Sequence, residues 1–235
     1  MMHTPRYWAV LPAAGSGSRF GGDTPKQYLM LGSQLVIQHS INRLCRHVPL
    51  AACVVSLSAA DDFAQTLPYD VPERLRFVTG GAERMDSVLA GLEALTTDAA
   101  PDDWVLVHDV ARPCIHPDTL KTLVDQLKDD PVGGLLAVPV RDTLKRGKNG
   151  MVEVTVPRDG LWQCQTPQMF RFGLLLDALR LAKAEGALVT DEAAAIERIG
   201  HRIRLIEGRS DNIKITYPDD LALALAIMQG QSAEI

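Results

Sequence analysis

Two cations, Arg19 and Lys26, follow a run of small residues in which the backbone is free to bend. The run is Leu11-Pro12-Ala13-Ala14-Gly15-Ser16-Gly17-Ser18-Arg19-Phe20, and Pro25-Lys26-Gln27 comes shortly after it. Small residues let successive backbone N–H groups converge on phosphate oxygens, and the two side chains can neutralise a triphosphate. Pro12, Ala13, Ala14, Gly15, Ser16 and Gly17 are therefore candidate nucleotide contacts, with Arg19 and Lys26 as charge stabilisers. A Walker-type loop would need Gly-Lys-Ser/Thr, and a dinucleotide fingerprint would need Gly where Phe20 stands. On this loop alone, a plain Gly/Ser turn with incidental charges stays open.

A second cluster, Gly80-Gly81-Ala82-Glu83-Arg84-Met85-Asp86-Ser87, lies between a strand end and a helix start. In an open α/β sheet such loops face the ligand crevice at the carboxyl ends of the strands. Backbone groups of Gly81 and Ala82 and the Ser87 hydroxyl could read a base edge there. A simple helix start capped by Asp86 or Ser87 fits the same residues. The third cluster is Val107-His108-Asp109-Val110-Ala111-Arg112-Pro113, a buried strand ending in an acid with a cation close behind. Asp109 can hold Mg²⁺, which favours one or two carboxylates together with phosphate oxygens, and Arg112 can take a substrate phosphate. An Asp109–Arg112 ion pair is the alternative. His108 has no second His at ligand spacing, so it reads as a packing residue at a strand end. No Gly-x-Ser-x-Gly elbow or Cys/His pair supports a covalent intermediate.

The elements that would carry these loops alternate. Tyr7 to Pro12, Ala52 to Leu57, Leu75 to Thr79, Trp104 to His108 and Gly134 to Val138 read as strands. Helical segments are expected at Val36 to Arg46, Asp61 to Leu67, from Asp86, and from Pro117. Further on come helices over Phe170 to Glu185 and Asp191 to Ile199, strands over Arg202 to Glu207 and Ile213 to Thr216, and a helix from Pro218 to Gln229. The fold class is α/β, a doubly wound and mostly parallel Rossmann-like sheet, in one domain spanning 1–235. Arg141 to Pro157 breaks the rhythm with the turn Gly147-Lys148-Asn149-Gly150 and alternating Val152, Val154 and Val156. It reads as a protruding β-arm, with a solvated surface hairpin as the alternative.

Composition narrows the partners. The chain has 235 residues, 46% hydrophobic and 23% charged, with a net charge of -5, so no basic footprint for nucleic acid is present. No apolar run approaches a membrane span and no signal-peptide core follows Met1, so a cytoplasmic protein is expected. Cys45, Cys53, Cys114 and Cys164 are widely spaced, form no ligand cluster, and read as buried reduced thiols.

Taken together and in order, these motifs resemble the 2-C-methyl-D-erythritol 4-phosphate cytidylyltransferase family of the non-mevalonate isoprenoid pathway. Arg141-Asp142-Thr143, Gln165-Thr166-Pro167-Gln168, Thr190-Asp191-Glu192-Ala193 and Asp211-Asn212-Ile213-Lys214 extend the likeness, which runs from Val10 to Leu225. The resemblance implies transfer of CMP from CTP to a small polyol phosphate with Mg²⁺ bound at Asp109. Arg19 and Lys26 would stabilise the transition state at the α-phosphorus, and Arg158 and Lys214 would complete the catalytic set. The loop around Ala13, with Gly81, Ala82, Arg84 and Ser87, would hold ribose and cytosine. Val110, Arg112, Thr143, Thr166 and Thr190 would lie on the polyol phosphate side. The arm would make a homodimer in which Thr143 and Arg158 serve the neighbouring site, and Asp211 would add a second metal contact. Two departures stand out: Val110 where the family usually has Ala, narrowing a substrate-facing corner, and Ala82 where some members have an acid. A ribitol 5-phosphate cytidylyltransferase, or a nucleotide-sensing module without turnover, would share the same nucleotide loops.

Overall fold

The computed structural model of the chain describes residues 4–15 and 24–233. Its elements are β1 (Tyr7–Pro12), β2 (Met30–Leu31), β3 (Gln34–Leu35), α1 (Val36–His47), β4 (Leu50–Leu57), β5 (Leu75–Thr79), α2 (Arg84–Glu93) and β6 (Trp104–Val107). They continue with α3 (Pro117–Leu127), β7 (Gly133–Pro139), β8 (Leu144–Lys148), β9 (Met151–Val156), β10 (Trp162–Arg171), α4 (Phe172–Ala184), α5 (Glu192–Arg198), β11 (Arg204–Glu207) and α6 (Asp219–Ala233). The main sheet has the order β11-β7-β10-β6-β1-β4-β5. All its ladders are parallel except those of β10, which runs against both β6 and β7.

The period-2 geometry of β1 explains why this strand is apolar throughout. Trp8 and Val10 point to one face and pack with Val88 and Leu92 of α2 and Leu175 and Leu179 of α4. Ala9 and Leu11 point to the other, against Ile37 and Ile41 of α1 and Leu120 and Leu123 of α3. A strand covered on both faces needs an unbroken apolar run, and each large side chain buried here contributes about 1.5 to 3 kcal/mol. A third cluster fixes α6 through Ala224 against Val36, Leu31, Cys114 and Ile215. Two helices begin on capping side chains: at α3 His116 Nδ1 accepts from Asp118 N with Pro117 in the first turn, and at α5 Asp191 accepts from Ala194 N at 2.9 Å.

The arm is a two-stranded antiparallel hairpin, β8 with β9, whose turn places Asn149 and Gly150 at φ of 50° and 78°. Both angles are positive, as a tight hairpin turn requires. Met151 and Val152 are 73% and 64% exposed, so their apolar surface lies open on this chain.

Four readings need correction. Ile213 to Thr216 forms no ladder: Ile215 N donates to Ala111 O, while the Ile215 carbonyl accepts from Lys26 Nζ. Asp61 to Leu67 makes only a single 3-10 turn over Ala64–Thr66, because Asp61 Oδ1 draws in the N–H groups of Phe63 and Ala64. Phe170 belongs to β10, not to a helix, and β10 itself is the strand that pattern reading missed. Its Gln163, Gln165, Pro167 and Gln168 interrupt any apolar alternation. Finally, three cysteines are buried, but Cys164 is exposed at the start of β10.

Candidate active site

Two loops hang from the end of β4. Ala13 N donates to Ser56 O at 2.8 Å and Gly80 N donates to Leu57 O at 2.7 Å, which brings the turns after β1 and β5 side by side. Gln27 Nε2 then holds the Ala13 carbonyl at 3.1 Å. A Cβ on Gly81 would stand 2.2 Å from Asp86 Cβ, and one on Gly80 would stand 2.9 Å from Ala14 Cβ. Glycine is thus required for the second loop to close on α2 and on the first loop. Ser87 is buried, and its hydroxyl accepts from Gly81 N at 3.2 Å while facing Glu83 O at the same distance, so it shapes the loop.

The result is a cleft with a cavity volume of about 170 Å³. Pro12, Ala13, Ala14, Gly15 and Lys26 line it from the first loop, Gly81, Ala82, Arg84 and Ser87 from the second, and Asp109, Val110 and Lys214 from the far side. Ser16, Gly17 and Arg19 lie outside the described residues. A second cavity opens next to it, lined by Arg112, Cys164, Gln165, Thr166, Gln168, Thr190 and Asp191. Arg84, Asp109 and Lys214 border both cavities and so form the wall between them.

Asp109 is the centre of that wall. Its side chain is 10% exposed and meets Lys214 Nζ at 2.7 Å, Arg84 Nε at 3.0 Å and Arg112 Nε at 3.9 Å. Burial works to raise its pKa, but Arg84, Lys214 and Arg112 outweigh burial and hold the carboxyl below the usual range. Arg84 is itself gripped by Glu192 of α5, at 2.6 and 3.1 Å in a bidentate pair. Burial opposes the charge on Arg84, yet Glu192 and Asp109 raise its pKa above the ordinary value. Arg112 donates to Asn212 O at 2.7 Å, and Lys26 donates to Ile215 O at 3.0 Å. Both bonds anchor cations to the segment that carries Lys214.

Behind Asp109 lies a relay that sequence reading missed. His108, expected to be a packing residue, is fully buried and hydrogen-bonded at both ring nitrogens: Nε2 to Arg112 O at 3.1 Å and Nδ1 to Thr166 Oγ1 at 3.0 Å. Thr166 Oγ1 also accepts from Asp109 N at 3.0 Å. Burial lowers the His108 pKa to about 4, so the ring is neutral. Glu192 and Gln168 were missed as well; Gln168 joins Asp191 Oδ2 to the Ala193 N–H. The available signal was their polarity in segments otherwise destined for burial.

Other expected residues fall elsewhere. Asp211 lines neither cavity: its carboxylate is held by Arg209 at 2.7 Å and Gln231 at 3.2 Å. Val110 borders the first cavity and is buried among core side chains. Thr143 is exposed, and so is Arg158, which donates to Arg141 O; neither lines these two cavities of its own chain. Among the described residues no group of three His, Cys, Asp or Glu side chains could enclose a metal. A hard cation at Asp109 would therefore take most of its oxygens from phosphate and water, which suits Mg²⁺.

Residues 7–230 match the family model for 2-C-methyl-D-erythritol 4-phosphate cytidylyltransferase. A protein of that name from Ectopseudomonas mendocina (strain ymp) is 52% identical over 92% of this chain and 93% of its own length. One from Acinetobacter baumannii (strain SDF) is 46% identical over 97% and 95%. A crystal structure of 4-diphosphocytidyl-2C-methyl-D-erythritol synthase superposes with a TM-score of 0.84 at 39% identity, covering 97% of this chain and 100% of the other. The Francisella tularensis cytidylyltransferase gives 0.83 at 32% identity, over 94% and 99%. With the family model spanning nearly its whole length, the chain belongs to the 2-C-methyl-D-erythritol 4-phosphate cytidylyltransferase family.

Proposed function

We propose that the chain transfers CMP from CTP to 2-C-methyl-D-erythritol 4-phosphate, giving 4-diphosphocytidyl-2-C-methyl-D-erythritol and pyrophosphate for isoprenoid precursor synthesis. The observation that carries this is the pair of cavities divided by Arg84, Asp109 and Lys214. CTP occupies the first, with Ala13 to Gly15, Gly81 and Ala82 against ribose and base, and the polyol phosphate occupies the second. A phosphate oxygen of the polyol attacks the α-phosphorus; the new P–O bond forms as the bond to pyrophosphate breaks. Two polyanions must meet, so the protein's work is charge neutralisation and in-line positioning. Lys26 and Arg19 stabilise charge at the triphosphate, while Arg112 and Lys214 hold the attacking phosphate. Asp109 is the residue that would hold Mg²⁺, which when bound neutralises triphosphate oxygens.

The exposed arm supports a homodimer in which Thr143 and Arg158 reach the partner's second cavity, where Thr166 and Thr190 already stand. No helix among the described residues is long and apolar enough to cross a membrane. The deciding experiment is pyrophosphate release with Mg²⁺ across four nucleoside triphosphates and two polyol phosphates. Release with CTP and methylerythritol phosphate is expected. Release with ribitol 5-phosphate alone would reassign the substrate, and CTP binding without release would make the chain a sensing module.

A further inference from the structure

We propose that His108 is a positioning residue that fixes the Thr166 hydroxyl as a hydrogen-bond acceptor toward the second substrate, so that Thr166 selects a hydroxyl group and rejects a phosphate oxygen. The inference rests on the reading that the second cavity takes the polyol phosphate.

The argument is an inventory of protons. The Arg112 carbonyl can only accept, so the His108 nitrogen 3.1 Å from it, Nε2, carries the ring proton. With that proton on Nε2, and with a hydroxyl that can itself donate as the partner of Nδ1, Nδ1 presents a lone pair to Thr166. Thr166 Oγ1, 3.0 Å from Nδ1, therefore donates its proton to the ring. The same oxygen accepts the Asp109 N–H at 3.0 Å. A hydroxyl has one proton and two lone pairs, so one lone pair is all that remains for the cavity. The bonds run in one sense, from Asp109 N–H through Thr166 and His108 to the Arg112 carbonyl, and each polarises the next.

Thr166 thus differs from its neighbours in the second cavity. Arg112 and Lys214 offer only donors and suit phosphate oxygens, whereas a phosphate oxygen against Thr166 would set lone pair against lone pair. A polyhydroxy alkyl phosphate is then oriented by sorting: phosphate to the cations, a hydroxyl to Thr166.

Two measurements test this. In the resting protein, ¹⁵N NMR of the His108 ring, assigned through its contacts to Thr166, should find Nε2 protonated and Nδ1 unprotonated. Second, methylerythritol phosphate analogues with one hydroxyl at a time replaced by fluorine, which cannot donate, are compared by kcat/KM. The unmodified enzyme should lose about tenfold at one position, the worth of one hydrogen bond. Thr166→Ser should keep that loss. Thr166→Val should abolish it and raise KM for the polyol phosphate while leaving KM for CTP in place. His108→Phe, which frees the Thr166 proton, should also flatten the discrimination. A protonated Nδ1, or equal discrimination by the unmodified enzyme and Thr166→Val at every position, overturns the proposal. Absence of pyrophosphate release from the unmodified enzyme would instead sink the functional reading, and the ring tautomer would still decide the role of His108.

Discussion

The two cavities on either side of Asp109 are made of different materials. The first is walled mostly by backbone and small side chains from two turns, Pro12 to Gly15 and Gly81 to Ala82. The second is walled mostly by polar side chains delivered from β10, the turn before α5 and the loop after β6, and held by bonds such as Thr166 to His108 and Arg84 to Glu192, 58 and 108 positions apart. A cradle made of backbone tolerates little change in residue size but needs few partners. A cradle made of side chains depends on every buried polar group being satisfied. The difference teaches where each cavity is vulnerable: the first to loss of a charge at the reacting phosphate, the second to loss of a supporting bond.

The largest expected effect lies on the first side. Lys26→Ala should lower turnover by on the order of 10² to 10³, as removal of one preorganised charge stabiliser does. The urea unfolding midpoint should move little, because Lys26 borders the cleft and belongs to none of the apolar core clusters. Near-normal pyrophosphate release in this variant would break the contrast between the cavities.

Acid should expose the weakness of the second side. His108 has a folded pKa of about 4 against 6.5 for the free side chain, so between those values the unfolded chain binds the extra proton. Stability should therefore fall as pH drops from about 6.5 to 4, by on the order of 3 kcal/mol. The Asp109 carboxyl, depressed by its cations, adds stability that is full above its unfolded value of 3.8 and lost only below it. Urea titrations of metal-free protein across this range check both. A His108→Phe protein with the same slope would remove His108 from the account.

Glu192→Gln should cost about 2 to 3 kcal/mol of stability, less than the full penalty of breaking a buried pair, because Arg84 keeps Asp109 as a partner. It should also raise KM for the polyol phosphate more than KM for CTP, since Glu192 follows Thr190 and Asp191 in the wall of the second cavity. Equal changes in the two KM values would show that Arg84 serves both sides alike.

The smallest signal comes from the arm. Lys26→Ala and Arg158→Ala proteins, each nearly inactive alone, should regain activity when unfolded together and refolded as a mixture. With random pairing roughly a quarter of all sites carry neither lesion, as two-fold symmetry requires. Mixed dimers without recovered activity would place Arg158 in its own chain's site.

The contrast also explains what the sequence could disclose. The first cavity was legible because its contacts sit within short motifs, where Gly80, Gly81 and the run from Pro12 to Gly15 carry their geometry locally. Thr166 and Thr190 were reached through likeness to a family, not through spacing. His108 reads as packing in the sequence because its motif does not name its partners; they are the Thr166 hydroxyl from β10 and the Arg112 carbonyl from the turn that follows β6. Asp211 shows the converse. An acid near Lys214 in sequence suggested proximity to Asp109, but the chain turns at Asn212, and Arg209 and Gln231 hold the carboxylate. Among the elements, β1, β4 and β6 announced themselves by apolar runs, and β10 did not, since its polar start is shaped by the site it lines.

That reversed strand has a bearing on synthesis. β7 leaves the ribosome before either of its sheet neighbours, β10 and β11, has been made, and β6 keeps an unpaired edge until β10 arrives. The half-sheet β5-β4-β1-β6, with the nucleotide cleft largely drawn at its end, can assemble early, while the other half waits for residues beyond Trp162. A nascent chain stalled before β10 would carry an open sheet edge and an unpartnered β7, the surfaces that invite aggregation, and would lack Thr166 altogether. Insertion of one antiparallel strand therefore lets the two turns of the first cavity form early and leaves the second cavity, with the Lys214 wall that closes both, to the end of synthesis.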